Sequence, residues 1–526
     1  MEKIQDLGTS NAEMISISRA EYERFQAQGE RISELEKQVE ILMEAIRLSR
    51  QKRFGSSSEK TDDDGFEQLS LLFNEAEVYA DEEADAEANS VTVASHNRRK
   101  KHEYTLENLP EDIPVEVVEH RLSEEELVCP ECGDVMVEIG KEVTRKLKLI
   151  PAKAVVIENR YYSYACRSCE KNGISTPVVR APSEPSVIPG SFASPEAIAH
   201  LMTQKFVMGS PLYRQEQELK RHGIPLSRQT MSNWILRAAQ DYLYPVYEML
   251  HTELLKHEIL HADETELQVL HEPGKKPQSK SYMWLYRTSG DTDKPIVMYE
   301  YQPDRRQEHP KEFLNGFKGY IHTDGYAGYH SLPEDITVVG CWAHARRKFD
   351  EAVKSLPKGK AKNSTAAQGL AYCTLLFEIE KGLAELPPEK RYSERLRQAK
   401  PVLGALFAWA ETRNAAPKSA LGKALTYLRE QRPYLMNYLK DGRLEISNNR
   451  AERSIKPFVI DRKNFLFANT PGGAKGSAVI FTLIQTAVEN GLDPYEYLTR
   501  VMKTAAGKEM SNELVQKLLP WNALIK

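Results

Sequence analysis

Three acidic residues stand in settings suited to a hard divalent cation. Asp263 interrupts the apolar run Glu258-Ile-Leu-His-Ala-Asp-Glu-Thr-Glu-Leu-Gln-Val-Leu270, and Asp324 ends a second run, Gly319-Tyr-Ile-His-Thr-Asp-Gly-Tyr326. Glu452 lies in Asn448-Asn-Arg-Ala-Glu-Arg-Ser-Ile-Lys456, where the asparagines are expected to cap a short helix. Cations such as magnesium take oxygen ligands. Two held close together activate a water or hydroxyl and stabilise the leaving oxygen of a phosphodiester. The chemistry these residues suit is therefore metal-dependent cutting or joining of nucleic acid.

Strand-like runs surround the first two acids. After Asp263 come Ser281-Tyr-Met-Trp-Leu-Tyr-Arg287 and Pro295-Ile-Val-Met-Tyr-Glu-Tyr301, with links of hairpin length that predict an antiparallel meander. A helix-like stretch from Arg305 to Phe317 precedes the Asp324 strand, and Ile336-Thr-Val-Val-Gly-Cys341 follows it. This order matches a ribonuclease-H-like core, in which carboxylates of the first and fourth strands meet and a later helix supplies a third. Residues 350–440 are rich in Leu, Ala, Glu, Lys and Arg and predict a helical insertion before Glu452. Strand alternation should turn Glu264 away from the face of Asp263. Asp-Gly at 324–325 also suits a plain turn, and the apolar strand ahead of it and the order of elements around it favour a ligand.

Upstream, Cys129-Pro-Glu-Cys132 and Cys166-Arg-Ser-Cys169 are two C-x2-C knuckles, which bring four thiolates to one structural zinc in a ribbon. Lys146 to Ala165 alternates as a hairpin would. Phe25, Ile32, Val39 and Ile46 with Leu35 and Leu42 trace a heptad, broken at Gln28. It suits either a parallel coiled coil or a single amphipathic helix packed on its own body.

Residues 194–240 predict three short helices, the last beginning after Ser227 and resembling the second half of a helix-turn-helix. Arg228, Gln229, Thr230 and Asn233 have the chemistry to reach base edges or phosphates, and an ordinary helical subdomain fits as well. Arg346, Arg347, Arg450, Arg453 and Lys456 are candidate phosphate contacts nearer the acids. Cys341 and His344 form a C-x2-H pair whose further metal ligands the spacing does not identify; a buried Cys with a hydrogen-bonded His fits too. Gly472-Gly-Ala-Lys-Gly-Ser477 lacks phosphate-loop spacing.

The 526 residues are 41% apolar, enough for several packed domains. The net charge of −5 is local in origin: residues 61–90 carry eleven acidic residues and no Lys or Arg, and without them the balance is +6. A mildly basic body with an acidic linker is compatible with DNA. No signal-peptide core or bilayer-length apolar run is present, so the expected location is cytoplasmic, with cysteines reduced or metal-bound.

Taken in order, Arg53-Phe-Gly-Ser-Ser-Ser-Glu-Lys60, the cysteine knuckles, His261-Ala-Asp-Glu-Thr265, His322-Thr-Asp-Gly-Tyr326, Cys341-Trp-Ala-His-Ala-Arg-Arg347 and Asn448-Asn-Arg-Ala-Glu-Arg453 resemble the IS66 family of bacterial insertion-sequence transposases. The resemblance implies a multidomain α/β protein. Its expected parts are a coiled-coil segment (1–60), an acidic linker (61–104), a zinc ribbon (105–180) and a helix-turn-helix-like segment (181–250). A ribonuclease-H-like core with the insertion (251–470) and a C-terminal helical element (471–526) complete it. It further implies Asp263, Asp324 and Glu452 as ligands of two magnesium or manganese ions. The expected partners are element-end and target DNA, a second copy of the chain, and accessory proteins of the same element, with no membrane. A nuclease that cuts without joining, and a non-catalytic DNA-binding regulator, stay open as alternatives.

Overall fold

The computed structural model describes residues 19–54, 154–165, 171 and 178–523. They fall into two compact units, one of the N-terminal helix with 184–523, the other of the described residues between 154 and 183. The four knuckle cysteines and the expected acidic linker lie outside the described residues.

In the smaller unit, β1 (Ser163–Ala165) pairs antiparallel with β2 (Val178–Arg180), setting Tyr164 against Val179. Residues 154–165 of the expected Lys146–Ala165 hairpin are described, and of these only Ser163–Ala165 form a strand, whose partner lies beyond that segment.

In the larger unit a five-stranded sheet has the order β5-β4-β3-β6-β7. Its strands are β3 (Ile259–Gln268), β4 (Lys280–Thr288), β5 (Val297–Gln302), β6 (Gly319–Thr323) and β7 (Ile336–Gly340). β3, β4 and β5 form the expected antiparallel meander, while β6 and β7 run parallel to β3. A short helix, Glu308–Phe313, supplies the crossover that parallel pairing requires.

Both sheet edges are covered by polar side chains. Along β5, Thr482 and Thr486 of the Pro471–Glu489 helix accept from the backbone N–H of Tyr299 (2.8 Å) and Val297 (3.1 Å). Along β7, Asn437 donates to the Val338 carbonyl at 2.7 Å. Unpaired strand edges invite pairing with other chains, and these contacts satisfy them locally.

One hydrophobic core joins the sheet to the helices of 195–254 and to the C-terminal helices as far as Ala523. A second gathers Ile259, Val339, Trp342 and Phe349 with the insertion helices Thr365–Leu383, Pro388–Glu411 and Ala420–Glu430. The insertion is as helical as its composition predicts. Arg395, 1% exposed, fastens its exit: it meets Glu380 and donates to the carbonyls of Tyr438, Asp441 and Leu444. That stretch leads directly into the Asn449–Phe465 helix bearing Glu452.

The heptad lies on a 36-residue helix, Arg19–Phe54. Glu44 and Arg47 bind Ala420 N (3.0 Å) and Ser355 O (3.1 Å), so this helix does pack on its own body. The heptad residues Ile32, Leu35, Val39, Leu42 and Ile46 nevertheless remain exposed. No helix among the described residues is long and apolar enough to cross a membrane.

Candidate active site

β3 and β6 position the two aspartates. Their parallel register pairs His261 with His322, and two further steps along it put Asp263 level with Asp324. Asp263 is held by its place in a central strand, paired to Leu285 of β4. Asp324 follows β6 and accepts from Tyr326 N at 2.9 Å, a turn contact, while its carbonyl takes hydrogen bonds from His344 Nδ1 and Tyr427 Oη, both at 3.0 Å. The turn reading and the strand-end reading of Asp324 are thus both realised.

Burial pushes the Asp263 carboxyl well above the ordinary carboxylate range. The charges of Glu264, Asp324 and Glu452 add to that rise, opposed by one hydrogen bond from Glu264 N at 2.9 Å. Glu264 turns to the other face as alternation requires, binding Arg305 Nε (2.8 Å) and Tyr329 Oη (2.7 Å).

Glu452 occupies the first turn of its helix, where the backbone dipole favours a carboxylate. The helix is 17 residues long rather than short, and Asn448 does not cap it with its side chain. Instead the Asn448 amide accepts from His261 Nδ1 at 2.9 Å and donates to Ala262 O at 2.8 Å. Its backbone N–H reaches Cys341 Sγ at 3.1 Å, and its carbonyl accepts from Glu452 N at 3.2 Å. Asn448 thereby clasps β3, the end of β7 and the Glu452 helix together. A capping role reads directly from sequence; this tertiary one does not, because its partners are distant in the chain.

His261 and His322 stack at 4.3 Å between ring centroids, both fully buried. Burial drives the His261 imidazole down to about 3, against the opposing Asn448 hydrogen bond, so it is neutral. Neutral rings can fill the floor of an acidic site without neutralising its carboxylates.

The C-x2-H pair acquires a third member. His344 Nε2 lies 3.1 Å and Arg347 3.5 Å from Glu452. Burial opposes the charge on Glu452, but His344 and Arg347 together hold its carboxyl below the ordinary value. The His344 contact lies off a good hydrogen-bond line, and Glu452 Oε1 is enclosed without a proper donor. A buried carboxylate oxygen in that condition fits a cation.

The candidate DNA contacts separate. Arg228, Gln229 and Asn233 are exposed on the Arg228–Ala238 helix, whose opposite face buries Met231, Trp234 and Ile235. Ser227 caps that helix through Thr230 N at 3.2 Å. Arg347 reaches Glu452, whereas Arg346 lies over the Phe377 ring, 5.6 Å from its centroid and toward the insertion. Arg450 is engaged by Glu445 at 2.7 Å; Arg453 and Lys456 remain exposed.

Comparison with known proteins covers most of the chain. Residues 190–476 match the model described as the transposase IS66 family, and 126–170, which contain all four knuckle cysteines, match the zinc-finger binding domain of transposase IS66. Residues 41–118 match the transposase C of IS166 homeodomain, and 482–521 the IS66 C-terminal element. Similar proteins occur in Sinorhizobium fredii. The uncharacterized protein y4hP is 29% identical over 93% of this chain and 88% of its own length. The uncharacterized protein y4jD is 30% identical over 76% of this chain and 78% of its own. With its sheet, its acids and its zinc-finger segment each falling within these matches, the chain belongs to the IS66 transposase family.

Proposed function

We propose that this protein is a DNA transposase of the aspartate-aspartate-glutamate type, which cleaves insertion-sequence ends and transfers the freed strand to target DNA. The observation that carries this reading is the parallel register that sets Asp263 of a central strand level with Asp324, with the Glu452 charge also bearing on Asp263. Like charges gathered in a buried position are stable only with protons or cations among them. The strand order, with a helical insertion ahead of the Glu452 helix, supports a ribonuclease-H-like core interrupted by that insertion.

Asp263, Asp324 and Glu452 would hold two magnesium or manganese ions, which supply activation of the attacking hydroxyl and stabilisation of the leaving oxygen. The chain's own groups do the rest. His344 and Arg347 orient Glu452, Asn448 fixes its helix to β3, and the neutral histidine pair keeps water from the floor of the site. Arg347, Arg453 and Lys456 would hold the scissile strand, with Arg450 and Arg346 nearby. Arg228, Gln229 and Asn233 would touch DNA from the helical segment, and the four knuckle cysteines would hold zinc. The exposed heptad would join two copies so that both element ends are paired.

The test uses duplex DNA carrying the element's terminal sequences, with magnesium. Wild type should nick it and join a supplied pre-cleaved end with a free 3' hydroxyl. Asp324→Asn should lose both reactions and keep DNA binding. Strand transfer retained by that variant would sink the assignment, and cleavage without joining would leave a nuclease of the same fold.

A further inference from the structure

One set of ligand atoms at the sheet end has a donor chemistry unlike that of the three acids. A ligand atom from each of Cys341, His344 and Glu452 lies within 4.8 Å of the other two. Around a tetrahedral zinc such atoms stand about 3.3–3.6 Å apart, and His344 Nε2 and Glu452 Oε1 already stand 3.1 Å from each other. Cys341 opens the Trp342–Ser355 helix, His344 lies in its first turn, and Glu452 sits in the first turn of the helix facing it. Short side-chain movements suffice.

A thiolate and an imidazole favour zinc-class ions, whereas magnesium takes oxygen ligands. Glu452 Oε1 is enclosed with His344 Nε2 beside it at 3.1 Å and no other donor, so an ion held between the two atoms would satisfy both. Cys341 is fully buried, and its Sγ faces the Asn448 N–H described above together with the backbone N–H groups of Ala343 and His344, all of which favour a thiolate there. Its burial is that of a ligand wall rather than of a reactive thiol.

We propose that Cys341, His344 and Glu452 form a binding site for a divalent cation of the zinc class, and that its occupancy withdraws Glu452 from the magnesium site. The thiol proton leaves to solvent as the ion binds. The inhibitory half rests on the proposed function; the binding half does not. Zinc would therefore act as an off switch at the same carboxylate that magnesium needs.

The full chain is dialysed against micromolar free zinc and its metal counted by mass spectrometry. Wild type should retain one zinc per chain more than Cys341→Ser, whose hydroxyl still accepts from Asn448. Equal counts overturn the site. If Cys341→Ser proves misfolded by circular dichroism, His344→Ala is counted in its place, with the same expected deficit. In cleavage assays at fixed magnesium, each variant normalised to its own zinc-free rate, Cys341→Ser should tolerate about tenfold more zinc, as loss of a major ligand implies. Equal sensitivity overturns the inhibitory role. A chain that cleaves no DNA in magnesium sinks the proposed function and leaves the zinc count to decide the site by itself.

Discussion

Two ionic clusters in the larger unit are assembled on opposite terms. In the helical insertion, Arg395 meets Glu380 through contacts of 2.7–3.0 Å and spends its remaining donors on three backbone carbonyls. At the sheet end, acids of its own sign bear on Asp263, and an enclosed Glu452 oxygen has only the His344 ring beside it, at 3.1 Å. A buried charge with every lone pair and proton matched fastens structure; like charges left unmatched mark a place where a ligand completes the set. The first cluster delivers the chain to the Glu452 helix, and the second is what that delivery assembles.

The sharpest way to break this contrast is Asp263→Asn. Because burial and neighbouring acids raise the folded-state pKa of Asp263, its contribution to stability is fully present below the ordinary value and lost as pH rises through the raised one. The amide imitates the protonated form at every pH. In metal-free buffer at neutral pH the variant should thus melt no lower than wild type, while cleavage falls by about three orders of magnitude or more. Magnesium should raise the melting temperature of wild type and leave the variant unmoved. A large loss of stability in metal-free Asp263→Asn would erase the distinction between the clusters.

Arg395→Met tests the other side. It leaves Glu380 and three carbonyls without their donor, and removal of one partner of a buried pair costs about 3–5 kcal/mol. Denaturant unfolding should register that loss, and cleavage should fail in step with folding rather than ahead of it. Asn448→Ala lies between the two. It should lower cleavage about 10–100-fold, as loss of an orienting partner of a metal ligand does. DNA binding should be unchanged, and raising magnesium should restore part of the rate.

The smallest effect concerns a third buried pair. Burial raises Asp461 to about 6 despite Lys205, and lowers Lys205 to about 8 despite Asp461. The raised Asp461 stabilises at low pH and loses that contribution as pH climbs through 6. The depressed Lys205 stabilises at high pH and loses its contribution as pH falls through 8. Relative to Asp461→Asn, wild type should lose stability between about pH 4 and 6, read by thermal melts across that range.

Much of the architecture was legible because period-2 apolar runs and hairpin-length links are local signals. The meander, the crossover, the insertion and the Ser194 and Ser227 caps all follow from residues within a few positions of one another. The fate of the heptad was not legible, since apolar spacing is the same whether that stripe meets another chain or stays exposed. Nor was the split between Arg346 and Arg347: adjacent helical residues point about 100° apart, and only packing decides which one turns toward Phe377.

By itself the sequence determined that Asp263 lies in a strand and Asp324 at the end of one, which cysteines are spaced for zinc, and the family to which their order belongs. The tertiary structure alone decided that Asn448 binds His261 instead of its own helix, and that Glu452 completes the Cys341–His344 pair. The physical reason is separation along the chain. Strand and helix periods are set by neighbours, whereas the end of β7 and the Glu452 helix are joined across a separation of 107 positions, from Cys341 to Asn448, that the insertion occupies.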